Sequence, residues 1–148
     1  MPALDTLKQE WHKDSAINDL DLRSEALRNT QLHSKYMNIM MDHSVALETL
    51  KSAYKKERLF KTQYYSGKLN EDTELLNKRN LEPMRVKVKL KSEIEEYLEA
   101  DDELSAITQD MAMEDKMIFY CQEVIKWLRS RSYDIQGAMK YEIFQNGG

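Results

Sequence analysis

At 148 residues and a formal net charge of −4, the chain has the size of one domain or of one subunit in an assembly. With 32% charged residues it has little material for a thick private core, so amphipathic helices buried against partner helices or further copies are expected. Cys121 is the single cysteine, which excludes an intramolecular disulfide and points to a reducing compartment. No apolar run approaches the roughly 20 residues of a membrane helix, and the start MPALDTLKQEW lacks the apolar stretch of a signal peptide.

Only 4 glycines and 2 prolines occur, so two long tracts of helix formers run without a breaker. Residues 4–13 read as a short helix capped by Asp5 or Thr6, with Leu4, Leu7 and Trp11 on one side. After a turn at SAINDLD, a long helix is expected from about Leu20 to Ser66, because Tyr36, Met40, His43, Leu47, Leu50 and Tyr54 recur at steps of four and three. Ser66-Gly67 should end it, since glycine tolerates the left-handed conformation after a helix.

Residues 67–100 form the expected hinge. ELLNKRNLE can add a helical turn or two, and Pro83 breaks it. The alternation Val86-Lys87-Val88-Lys89-Leu90 suits a short extended segment. Ser92 followed by Glu95 has the form of a capping box opening a helix over EIEEYLEA. A second long helix is expected from Asp101 or Asp102 to Arg131, with an inner face of Leu104, Ile107, Met111, Glu114, Ile118, Cys121, Ile125 and Leu128, broken once by Glu114. Ser132 is read as the cap of a last helix over 133–145, carrying Ile135, Ala138, Met139, Ile143 and Phe144. The fold class is all-α. The chain is read as one domain, with an N-terminal helical part (1–66), the hinge (67–100) and C-terminal helices (101–148).

Charge is unevenly placed. Residues 51–68 carry Lys51, Lys55, Lys56, Arg58, Lys61 and Lys68 against Glu57 alone, and residues 78–91 carry Lys78, Arg79, Arg85, Lys87, Lys89 and Lys91 against Glu82. Each segment is at +5, which leaves −14 for the rest of a −4 chain. A basic strip with interleaved tyrosines in an acidic protein points to a polyanion, and to single-stranded nucleic acid in particular, whose unstacked bases offer faces for aromatic rings. Tyr54, Arg58, Lys61 and Tyr65 follow helical spacing, as do Lys51, Lys55 and Arg58. The plainer alternative is a solvated helix face that keeps the protein soluble. The run EIEEYLEADDE reads either as a solvated helix start or as an acidic surface for a basic partner.

Catalytic chemistry finds no foothold. The phosphate-cradling GxxxxGK[ST] pattern is absent. His12, His33 and His43 are isolated and no HExxH occurs, so a zinc site is not expected. The acidic run lacks the glycine and spacing of a calcium loop. Cys121 at an apolar position is read as a small core residue rather than a nucleophile, and no cofactor is expected.

The order Ser130-Arg131-Ser132-Tyr133-Asp134-Ile135, then Phe144 and Gly147, resembles the end of the UvsY family, recombination mediators of T-even and related tailed phages. There the pattern is roughly Ser-Arg-Gly-Phe-x-Ile, then Phe and Gly, so Ser132 departs from the family glycine. His33-Ser34-Lys35-Tyr36 is similar to the family's Tyr-Ser-Lys-Trp, and Tyr64-Tyr65-Ser66-Gly67 to its Tyr-Tyr-Ser-Gly. Lys8-Gln9-Glu10 with Asp14 and Ile17 is similar to its Leu-Lys-Lys-Asp-x-x-Ile-Asp. The resemblance spans nearly the whole chain except about 68–100.

The resemblance implies a non-catalytic protein that binds single-stranded DNA and forms a ring-like homo-oligomer, a hexamer or heptamer. It implies partners in a UvsX-like phage recombinase and the phage single-strand-binding protein, in the cytoplasm of an infected bacterium. Aligned through Tyr64-Tyr65, the family's basic motif places its arginine on Lys61 and its lysine on Leu59, a departure that Arg58 or Lys56 can offset. The expected DNA-binding residues are Lys51, Lys55, Lys56, Arg58, Lys61, Tyr64, Tyr65 and Lys68. The expected oligomerisation residues are Ile118, Ile125, Leu128, Ile135, Met139, Ile143 and Phe144. The rival reading is a coiled-coil adaptor whose basic helix only solubilises it.

Overall fold

The structure, a computed structural model, describes residues 2–147. It contains five helices and no strand among them: α1 (Pro2–Asp14), α2 (Leu22–Tyr65), α3 (Thr73–Lys78), α4 (Lys91–Glu99) and α5 (Asp102–Gln145). Proline opens α1, where its missing N–H costs nothing and its φ suits the first turn; Asp5 lies in that first turn and Thr6 lies within the helix, its hydroxyl donating to Pro2 O at 2.9 Å. Gly67 follows α2 at φ +81, the left-handed stop that the sequence predicts.

Three expectations are corrected. α5 runs unbroken through Ser132 to Gln145, because no proline interrupts it and its buried stripe continues through Arg131 and Ile135, 5% and 1% exposed. The Ser92–Glu95 capping box does not form: the cap of α4 is Leu90, with no side-chain bond, and Glu95 instead meets Arg58. Past Glu114 the inner face of α5 keeps Cys121 and Leu128 but takes Met117 and Val124 in place of Ile118 and Ile125. A helix of 3.6 residues per turn drifts from a strict heptad in this way.

The chain forms two compact units, divided between Ala46 and Leu47 and again between Ala112 and Met113, so both long helices contribute to each. The first unit combines α1, the first part of α2 and the last part of α5. Its core joins Leu7, Trp11, Leu32, Tyr36, Met117, Cys121, Val124 and Leu128. Trp11 meets Tyr36 edge-on at 5.4 Å and stacks on Trp127 at 6.1 Å, contacts worth about 0.5–1.5 kcal/mol each beyond area burial. Cys121 is fully buried, and burial pushes its thiol up to about 11, which suits an inert core residue. Glu114 interrupts the apolar repeat because it faces His43, with Oε2 2.5 Å from Nδ1.

Polar groups fix α1 and the following turn. Asp14 accepts from Lys35 at 2.6 Å and from the Tyr36 hydroxyl at 2.8 Å. Burial disfavours its charge, but those hydrogen bonds and the Lys35 ammonium prevail and hold the carboxyl below its ordinary value. Buried Arg131 pairs with Glu25, bonds Asn29, and donates to Ser15 O at 3.2 Å and Ala16 O at 3.0 Å. Two of the family-like stretches thus meet at Asp14, and a third is anchored through Arg131.

Candidate nucleic-acid interface

The second unit comprises residues 47–112 and holds both basic segments, 51–68 and 78–91. The end of α2 organises it. The Tyr64 hydroxyl donates to Glu82 O at 2.5 Å. Asn70 brackets the backbone of Met84, accepting from its N–H at 2.9 Å and donating to its carbonyl at 3.0 Å. The Val88 N–H donates to Tyr65 O at 3.2 Å. The connection 79–90 is therefore fastened along the end of α2, bringing together two cationic stretches that are far apart in sequence.

Two of the basic side chains, Lys61 and Arg79, are consumed internally, and a third, Arg58, is paired but stays partly exposed. Lys61 is 4% exposed, with Nζ 3.0 Å from Asp101 and 3.3 Å from Glu103. Burial alone would lower its pKa, but Asp101 and Glu103 prevail and raise it. Arg79 donates to Glu57 at 2.5 Å and Glu103 at 2.9 Å while lying 4.1 Å from the Phe60 ring centroid. Arg58 meets Glu95 at 2.5 Å. The start of α5 is built into the same network: Asp101 accepts from the Leu104 N–H at 3.0 Å, as a helix cap does, and from the Tyr65 hydroxyl at 2.6 Å. Desolvation raises the Asp101 pKa, but these bonds and Lys61 outweigh it and leave the carboxyl below its ordinary value.

The expected contact residues therefore separate. Lys61 and Tyr64 lie inside the unit, not on its surface, because carboxylates and a carbonyl from later in the chain take their polar atoms. Tyr65 is half-buried and its hydroxyl is occupied. Lys55, Lys56 and Lys68 are exposed. Lys51 is exposed with a loose 3.5 Å pairing to Glu48, and Arg58 keeps a partly exposed side chain beside Glu95. Sequence reasoning missed Tyr97, which is 44% exposed and packs its ring at a tilt against Tyr65, centroids 5.2 Å apart. It also left Lys78, Arg85, Lys87, Lys89 and Lys91, all exposed, out of the expected contact residues; their charge was legible, but their placement beside α2 was not.

The expected oligomerisation residues separate as well. Leu128 is part of the core of the first unit and Ile135 is 1% exposed, so these two serve their own chain and are withdrawn as contacts to a neighbour. Ile118, Ile125 and Met139 are half-buried. Ile143 and Phe144 are 56% and 79% exposed near the end of α5, alongside Tyr141.

The family model described as "Recombination, repair and ssDNA binding protein UvsY" matches residues 10–148. The chain belongs to the UvsY family. It is 25% identical over 146 residues to the recombination protein uvsY of Enterobacteria phage T4, covering 97% of this chain and 98% of that protein. Crystal structures of the bacteriophage T4 recombination mediator protein UvsY have the same fold. One lattice form gives a TM-score of 0.80 at 22% identity, covering 97% of each chain. Another gives 0.79 at 20% identity, covering 96% of this chain and 98% of that one. The resemblance read from the C-terminal, central and N-terminal motifs is thus established over nearly the full length, and the all-α architecture is that of UvsY.

Proposed function

We propose that this UvsY-family chain is a non-catalytic recombination mediator, which binds single-stranded DNA and promotes loading of a phage recombinase onto DNA covered by single-strand-binding protein. It acts in recombination-dependent replication and repair in the cytoplasm of the infected host. The observation that carries this reading is the set of exposed cations, Lys55, Lys56 and Lys68 foremost, in a chain of a single-stranded-DNA-binding family. Lys51, Lys55, Lys56, Arg58 and Lys68 contact phosphates, and Tyr97 offers its exposed ring to bases, a stacking worth about 1–3 kcal/mol. Lys61, Tyr64 and Tyr65 hold this surface in shape from behind.

Ile143, Phe144 and the exposed flanks of Ile118, Ile125 and Met139 join copies into a ring-like homo-oligomer, a hexamer or heptamer. Repeating a weak site around a ring raises avidity without any new contact. Fluorescence anisotropy with a labelled oligothymidylate across a salt series tests the reading. Binding should weaken with a log–log slope of about −0.7 for each phosphate neutralised. In light scattering, Ile143→Asp with Phe144→Asp should lower the mass and the affinity together while helicity is retained. A wild-type chain with no salt-dependent binding would leave the adaptor reading in its place.

A further inference from the structure

The connection 79–90 between α3 and α4 is the longest non-helical stretch among the described residues, and connections of this length without secondary structure are uncommon in compact domains unless they serve a function. Its backbone is held firmly and its side chains are not. Val88 is 3% exposed and its N–H is tied to Tyr65 O. Asn70 fixes Met84 on both its polar atoms. The aliphatic part of Lys87 lies against Gly67, where an added Cβ would sit 2.6 Å from Lys87 Cγ. From that anchored backbone Arg85, Lys87, Lys89 and Lys91 project as exposed residues, none in an ion pair with a carboxylate among the described residues. Val86 and Leu90 between them are 71% and 62% exposed. A packed extended segment would bury such residues; here only Val88 goes inward.

We propose that residues 85–91 are a second contact surface for single-stranded nucleic acid, continuous with Lys68 at the end of α2. Arg85, Lys87 and Lys89 grip successive phosphates, and Val86 and Leu90 rest against the sugars and bases between them. Residues two apart lie at most about 6.6 Å apart, within the reach of the six backbone bonds of one nucleotide, and bends at Arg85, Val86 and Leu90 take the segment out of a regular strand, so that Val86 and Leu90 are exposed although Val88 is buried. Lys87 beside Gly67, and hence beside Lys68, joins this segment to the cations of α2. The surface carries a strand past the end of α2, so one chain engages a longer stretch than its helix face alone. The combination of exposed cations and exposed aliphatic groups fits a flexible, unpaired polyanion, whose apolar faces a duplex would hide.

The inference rests on the DNA-binding reading above, and the experiment separates the two. Full-length wild type and the variant Arg85→Ala/Lys87→Ala/Lys89→Ala are titrated with labelled oligothymidylate from low to high salt. The triple variant should lose about 2 from the magnitude of the log–log slope, at about 0.7 for each contact, with unchanged helicity and assembly mass. Lys89→Gln alone, conservative and at an exposed position, should lose about 0.7 and decides the matter if the triple variant fails to fold. Val86→Ser/Leu90→Ser should weaken binding several-fold at an unchanged slope. Wild-type binding with slopes identical in the triple and Lys89 variants overturns the second surface and leaves the helix surface standing. Absence of wild-type binding overturns both. Vesicles containing phosphatidylserine serve as the competing polyanion: their capture by wild type and loss in the triple variant, with DNA slopes unaltered, also overturns the proposal.

Discussion

Both units pair some cations internally and expose others, and they differ in where along the chain the exposed ones fall. In the first, Arg131, Arg28 and Lys35 turn inward, onto Glu25, Asp14 and the carbonyls of residues 14–16, around an aromatic core. In the second, Lys61 and Arg79 pair with Asp101 and Glu103 in a clamp, and Arg58 with Glu95. The exposed lysines and arginines there are gathered in the segments 51–68 and 78–91, whereas those of the first, such as Lys8, Lys13, Arg23, Lys116, Arg129 and Lys140, are scattered along the chain. The same residue types are thus scaffold at some positions and candidate ligand contacts at others. What separates them is whether a carboxylate reaches them, and that is decided by tertiary structure rather than by local spacing.

The largest effects should come from the buried pairs. Replacing Arg131 by Ala leaves buried Glu25 with Arg28 alone, at 3.3 Å, and removes the donor to the carbonyls of Ser15 and Ala16, a loss of up to about 3–5 kcal/mol in urea unfolding that should loosen α1 first. If the comparison holds, Asp101→Ala in the second unit behaves alike, because it leaves Lys61, 4% exposed, with Glu103 alone at 3.3 Å and removes the cap of α5. A smaller loss there would mean that the clamp is as dispensable as a surface pair.

Next comes Lys61→Met. As a clamp residue, Lys61 should lower stability measurably when replaced while leaving the salt slope of DNA binding unchanged; a slope shallower by about 0.7 would restore it as a phosphate contact. Lys55→Ala with Lys56→Ala should do the reverse, with the slope shallower by about 1.4 and stability within about 0.5 kcal/mol of wild type.

Acid provides a milder probe of the whole scaffold. Asp14, Asp101 and Glu103 have pKa values below their ordinary 3.8, 3.8 and 4.5. A depressed folded-state value contributes stability that is fully present above the unfolded value and is lost as pH falls through the folded one. Urea midpoints should therefore be flat near neutrality and decline below about pH 5, and Asp101→Asn should flatten that decline. Gly67→Ala should cost about 1 kcal/mol for the left-handed φ, plus whatever displacement Lys87 must make.

Much of the fold was legible. Helix-forming tracts without breakers gave both long helices, Gly67 marked the end of α2, and the motifs of the UvsY family read true across most of the chain. The continuity of α5 was not legible at Ser132, since a serine reads as a cap until the burial of Arg131 and Ile135 is known. Lys61 looked like a surface cation because its partners stand some forty residues away in the sequence. The segment 85–91 was legible as alternating and basic and read as a short extended segment, but which of its apolar residues turns inward was not, and only Val88 is buried.

Asp101 has a consequence for the order of assembly. It caps the first turn of α5 and is held in turn by Lys61 and Tyr65 from the last turns of α2. The beginning of one long helix is thereby conditional on the end of the other, although in the chain they are separated by the whole connecting region. Opening either end releases the partner that the other needs, so the two should exchange amide hydrogens as one cooperative unit. The amides of Leu104 and Ser105 and those of the last turn of α2 should share one opening free energy. Helix ends fray independently when nothing joins them; here fraying would have to occur at both sites at once.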